Sequence, residues 1–272
     1  MMRAWCVAGA SVLAIGCGDD GEPDATDTVQ PEAETQIETT NETETTPMTG
    51  DVEGRWAMVE TQTARVTTTT LGTVTQTSVS YYLADFSAES FSVTLCDWLT
   101  DDETGFATTR MGNNVLASLS PLVRSYQVTA DGAGFKLTTS KGYALRGVEL
   151  ANIETDAMPT DGANASVRDQ DGDSQPGITL VVQGLITGQL YVAHRHIAEL
   201  DGALESDTRI SGLTDWTTEQ IIFGSNPSAL KDENPVAVTD PDPSKSHFVM
   251  VKVDAAASCT SIMADRETLF PE

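Results

Sequence analysis

Three aspartates at alternate positions, Asp169, Asp171 and Asp173, are the strongest chemical signal in the chain. The run Asp169-Gln170-Asp171-Gly172-Asp173 can aim three carboxylates at one hard cation, and oxygen ligands suit calcium. Asp161 or Asn164 upstream could complete such a shell. Without an ion, the same run reads as a solvated acidic turn ahead of the apolar stretch that opens at Ile178. Histidines give the second signal. His194 and His196 are two apart on an expected strand, so both rings project from one face. With His247 from a neighbouring strand they would make a three-histidine zinc site with an open position. Val192 and Ala198 share that face, which equally describes a partly buried pair. Ser228-Ala229-Leu230-Lys231 has the Ser-x-x-Lys spacing of an activated serine. That chemistry needs a helix start and a downstream Lys-Thr-Gly strand, whereas Asn226 and Pro227 make this segment a loop. The chain has no Gly-x-Ser-x-Gly, no phosphate-binding glycine loop, no His-Glu-x-x-His and no Cys-x-x-Cys.

The aspartate run resembles the first half of an EF-hand loop, with its three aspartates at the first, third and fifth places. Ser174 stands where that loop bends on glycine, and Leu180 where its closing glutamate would be. The resemblance therefore implies a calcium-holding loop between strands, not a helix–loop–helix unit.

Acidic residues outnumber basic ones 41 to 15, for a formal net charge of −26. That excludes nucleic acid as a partner, because phosphate backbones are bound through clustered Lys and Arg. It also disfavours docking on anionic lipid, and it attracts cations, of which extracellular calcium is the foremost.

The amino-terminal residues read as a processing segment. Arg3 supplies a positive start, and residues 4–15 are rich in apolar side chains but too few to span a bilayer of ~30 Å. The segment ends in Leu13-Ala14-Ile15-Gly16-Cys17, which resembles the lipobox of bacterial lipoproteins, although the leucine lies one place further from the cysteine than is usual. The resemblance implies a signal peptide over residues 1–16, cleavage before Cys17 and acyl chains on that cysteine. It also implies attachment to the cell envelope through lipid alone. Gly18, rather than aspartate, after Cys17 favours the outer membrane over the inner. Residues 17–50 then form a tether. Its stretch from 18 to 50 carries ten acidic residues and no basic one, too little apolar surface to fold. With Cys6 lost and Cys17 lipidated, Cys96 and Cys259 remain, and an oxidising compartment predicts a bridge between them.

Residues 51–272 read as a single all-β domain. Phe91, Val93 and Leu95 alternate with Ser92, Thr94 and Cys96, and Val79, Tyr81 and Leu83 with Ser78, Ser80 and Tyr82. Residues 126–129 and 135–138 flank a Gly-rich hairpin loop. Further strands are expected over 178–186, 190–197, 217–223 and 247–253, with a short helical turn within 115–123 and no long helix. Many short antiparallel strands make a β-barrel or a β-sandwich. Gly54-Arg55-Trp56 at the first strand and Thr214-Asp215-Trp216 before a late one resemble the short motifs of lipocalins. That likeness implies a ligand-holding barrel in which Arg266 covers Trp56. The expected function is a non-enzymatic binding module at the envelope, its ligand an apolar small molecule, a glycan or an envelope protein. An envelope hydrolase built from scattered residues and a calcium-stabilised structural surface protein are the alternatives.

Overall fold

Runs rich in Thr and Val, alternating in polarity and broken by Gly, Asp and Pro, fold as one antiparallel sheet of thirteen strands. The computed structural model describes residues 48–271 apart from 69–71, 89, 106, 186 and 232–235. Cys17, the expected signal segment and the expected tether as far as residue 47 lie outside the described residues.

β1 (Gly54–Thr68) and β2 (Gly72–Phe86) form a hairpin paired without interruption from Gly54–Phe86 to Thr68–Gly72. β3 (Phe91–Asp102) follows, with one extra residue: Tyr81 faces Asp97 and Tyr82 faces Leu95, so Cys96 bulges outward. β4 (Ala107–Met111) and β5 (Leu122–Arg124) pair with the two ends of β3, with the short helix α1 (Asn113–Ser118) between them. β6 (Tyr126–Asp131), β7 (Gly134–Thr139) and β8 (Gly142–Arg146) come next. An irregular segment, residues 147–177, leads to β9 (Ile178–Gly184), β10 (Gly188–Ser206) and β11 (Arg209–Asn226). β12 (Val236–Thr239), β13 (His247–Lys252) and the helix α2 (Cys259–Leu269) complete the chain.

The sheet closes on itself. Following hydrogen-bonded neighbours, β1, β2, β3, β4, β9, β10, β11 and β13 return to β1 as an eight-strand ring. The ring is uneven, because one long edge of β10 is shared in turn by β9, β8 and β7. Both candidate architectures from sequence were all-β, and this closed antiparallel sheet realises that class.

One end of the ring is packed shut, and we call it the base. Trp56, Met58, Phe86, Phe91, Phe248 and Met250 fill it, with Leu137, Leu200 and Ile210 from the opposite wall. Trp56 is fully buried, and its indole Nε1 donates to the Val52 carbonyl at 2.9 Å. Gly202 and Gly212 face each other there. A Cβ on Gly212 would fall 2.2 Å from the Asp201 carbonyl oxygen, and one on Gly202 would meet the Phe248 ring at 2.6 Å. The paired glycines thus let an aromatic ring lie flat on the backbone.

β2 inverts the arrangement its composition suggests. Its polar series Gln76, Ser78, Ser80 and Tyr82 points into the ring, which turns Val79, Tyr81 and Leu83 outward. α2, which no periodicity announces, lies against the outside of β2 and β3. Ile262 is buried, the Phe270 ring lies 6.2 Å from Tyr81, and the sulfurs of Cys96 and Cys259 are at bonding distance, 1.98 Å.

Candidate functional site

Reading β1 inward from base to mouth gives Trp56, Met58, Glu60, Gln62, Ala64 and Val66. Apolar side chains at both ends enclose two polar ones. β2 contributes Tyr82 and Ser80 at the middle height; β5 contributes Arg124 and β8 Arg146. β10 adds His194 and His196, and β11 Thr214 and Thr218. The result is a polar belt across the ring's interior. Above it opens a cavity of about 510 Å³. Its upper walls are mainly apolar, with Val66, Trp98, Leu180, Val182, Trp216 and Ile222, and are interrupted by Gln76, Thr100, Asp102, Thr109 and Gln220. A second cavity of about 300 Å³ lies on the other side of the belt, beside Leu119, Leu122 and Tyr143, and shares Tyr82, Arg146 and His196 with the first.

Glu60 is the belt's only carboxylate among the described residues lining either cavity at that height, and it is 3% exposed. It accepts from Gln62 Nε2 at 3.0 Å and from the Tyr82 hydroxyl at 3.1 Å. Burial raises its pKa, opposed by the positive charge of Arg124. Burial and the Glu60 charge together push the Tyr82 phenol up. Arg124, 7% exposed, donates to the Ala198 carbonyl at 3.0 Å and lies over the Phe91 ring, and its Nε is buried without a partner. Arg146, also 7% exposed, donates Nη1 to His194 Nδ1 at 2.7 Å. No ion pair among the described residues involves either arginine.

The Arg146 contact sets the state of His194. A guanidinium can only donate, so Nδ1 is the acceptor and the proton sits on Nε2, which donates to Thr218 Oγ1 at 2.7 Å. Thr218 passes the bond on to the Arg195 carbonyl at 3.3 Å. In this tautomer His194 has no lone pair to offer Thr218 and cannot serve as its base, as a nucleophilic hydroxyl would require.

No protein-family model matches the chain, and no curated protein or solved structure matches it either.

The aspartate loop lies apart from the ring's interior. Carboxylate oxygens of Asp169, Asp171 and Asp173 fall within 4.8 Å of one another. Asp169 gathers the amides of Gly172, Asp173 and Ser174, and Thr179 binds Asp171 through its amide and Asp173 through its hydroxyl. Ser174 takes φ 70°, the left-handed bend that glycine supplies in the loop it resembles. One oxygen of the half-buried Asp171, Oδ1, is buried with no hydrogen-bond partner, and burial raises that carboxyl's pKa. Asp161 and Asn164, expected as extra oxygens, instead cap turns of their own through Ala163 and Ser166.

Other expectations are corrected. The three histidines do not converge: His247 is exposed on β13, whereas His194 and His196 face the cavity with their rings 6.1 Å apart. Thr214-Asp215-Trp216 lies inside β11, not at a turn before it, and Trp216 donates to Ser246 Oγ at 2.9 Å. Lys252, not Arg266, stands over Trp56, its Nζ 5.5 Å from the ring, while Arg266 bonds within α2. Ser228 opens a three-residue 3-10 turn beside the cavity mouth, and Lys231 donates to the Phe223 carbonyl. Glu60, Arg124 and Arg146 were missed from sequence. The available signal was a charged residue on a strand face otherwise apolar.

Both cavity histidines are held neutral, first by burial and then by the facing arginines. His194 sits well below the imidazole range and His196 is pushed down to about 3. Unfolded histidines titrate near about 6.5. As pH falls through that value the unfolded chain takes up protons that the native ring refuses. This stabilisation is therefore complete above about pH 6.5 and is lost progressively below it. Each histidine contributes a slope of at most about 1.4 kcal/mol per pH unit, reduced by water in the cavity. Glu60, with its raised pKa, acts oppositely, adding stability as it protonates in more acidic solution. The urea midpoint is expected to drop from about pH 7 to about pH 5. Replacing both histidines with glutamine should flatten that slope; a midpoint already level in the parent protein would contradict their neutral burial.

Proposed function

We propose that this chain is a lipid-anchored envelope protein that binds an apolar small molecule inside its strand ring and does not transform it. The observation carrying this reading is the 510 Å³ cavity, mainly apolar at its walls and polar at its floor. Its size lies within the roughly 300–1,000 Å³ of small-molecule sites, and a few polar groups beneath apolar walls is their usual lining. The tautomer of His194 weighs against a hydrolase at the same place. Anchoring through Cys17 and residence on the outer membrane remain part of the proposal, supported by the lipobox resemblance and the acidic tether. No helix among the described residues is long and apolar enough to cross a membrane.

We further propose that Asp169, Asp171 and Asp173 hold calcium as a brace between the 147–177 segment and β9. The unpartnered Asp171 oxygen and the Ser174 bend support it. Native mass spectrometry of the full chain purified from its host, before and after chelation, tests both ideas. A retained organic mass is expected in both conditions, with a calcium mass that chelation removes. A bare protein mass throughout would overturn carrier and calcium readings together, and an organic mass without calcium would overturn the second alone.

A further inference from the structure

Charge at the height of the belt does not balance, the other inward carboxylate, Asp102, lying near the mouth. Arg124 and Arg146 are each 7% exposed, and Glu60 is the one carboxylate that faces them. Tyr82, His194 and His196, the other titratable groups packed around the two guanidiniums, are neutral, and so add no negative charge. A guanidinium carries five N–H donors. Arg146 uses Nη1 on His194, and its side chain has no other hydrogen bond among the described residues. The same side chain lines both cavities. A cation without an ion-pair partner among the described residues stands at the floor of a mainly apolar chamber, inside a protein whose net charge is −26. Leaving a buried charge uncompensated is costly, and that cost disappears when an anion arrives on the exposed N–H groups.

We infer that the ligand is an amphiphile with one anionic head, a carboxylate above all, which accepts from Arg146 while its apolar chain rises past Trp98, Leu180 and Trp216. This rests on the carrier reading and adds the head group to it. The planar fork of arginine matches a carboxylate with two parallel hydrogen bonds. Solvent at the mouth is excluded by the tail, which strengthens those bonds. The acidic exterior repels free anions, so a small inorganic anion gains no tail contacts to offset that repulsion.

Three probes with the same tail separate the possibilities: hexadecanoate, hexadecanol and hexadecyltrimethylammonium, titrated against the full chain. Trp98 and Trp216 line the cavity, so tryptophan emission reports occupancy. Hexadecanoate is expected to bind roughly 10- to 100-fold more tightly than hexadecanol, the range of a charge-assisted hydrogen bond. The ammonium probe should be weakest. Arg146→Met should erase the preference, so that the variant binds hexadecanoate and hexadecanol with equal affinity. Removing an unpaired buried cation does not unfold a core, and Arg146→Lys provides a second variant that keeps part of the preference. Equal affinity for acid and alcohol in the parent protein would overturn the head-group inference and spare the carrier reading. Failure of all three probes to bind would overturn both.

Discussion

Truncation of Glu60 to alanine is expected to destabilise the protein by about 3–5 kcal/mol, the cost of breaking a buried charge arrangement by removing one partner. Glu60 is the negative centre of the belt. Without it Arg124, already carrying an unpartnered Nε, loses the charge that offsets its burial. Gln62 and Tyr82 lose their acceptor at the same moment, and each donor left unsatisfied adds to the loss. Urea unfolding followed by tryptophan fluorescence would measure it. The double variant Glu60→Ala with Arg124→Met should recover most of the stability, because an apolar replacement for both members leaves no uncompensated charge. A single variant within about 0.5 kcal/mol of the parent, the range of ordinary surface changes, would show that the belt is not electrostatically coupled.

Removal of the Cys96–Cys259 link should cost a comparable amount by a different route. The two cysteines are 163 residues apart, and in the chain-entropy treatment a cross-link closing a loop of that length stabilises by about 5 kcal/mol through the unfolded state. There is also a local effect. α2 is an eleven-residue helix, short enough to be marginal alone, and Ile262 is its one buried side chain. Cys259 pins its first turn to the outward bulge of β3. Reduction, or replacement of both cysteines by serine, should therefore lower the urea midpoint and release helical signal before the strands unfold. Coincident helix and strand transitions at an unchanged midpoint would refute both parts.

Features written in short-range patterns were legible beforehand. Phe91, Val93 and Leu95 alternate with polar partners and do pack inward; the hairpin around Gly132 forms; the two remaining cysteines meet. Each depends on neighbours in sequence or on simple elimination. The interior of β2 was legible as alternation but not as direction. Ser78, Ser80 and Tyr82 look like a solvent face, yet they line a polar floor, while Val79, Tyr81 and Leu83 are covered from outside by α2. α2 itself lacks an apolar stripe because most of its surface stays wet, so no helical period marks it. Of the belt, only His194 and His196 were legible, as a pair on one strand face. Glu60, Arg124, Arg146 and His194 come from four strands that are distant in sequence, and only ring closure brings them to one height. A lone charge in an apolar strand face is the trace such a site leaves, and a chain this acidic hides it among ordinary surface carboxylates.

The seam of the ring lies between the first strand and the last. β13 inserts between β1 and β11, pairing Trp56 with Lys252 on one side and Leu213 with His247 on the other. Any polypeptide released amino end first therefore has all but its final wall while its interior stays open to water. Phe248 and Met250, which complete the packed base, arrive only with that wall. Pairings between such distant segments form slowly, and exposed strand edges invite misassociation meanwhile. The order assigns a vulnerable interval during synthesis, in which the unsealed edges of β1 and β11 are the surfaces most open to misassociation.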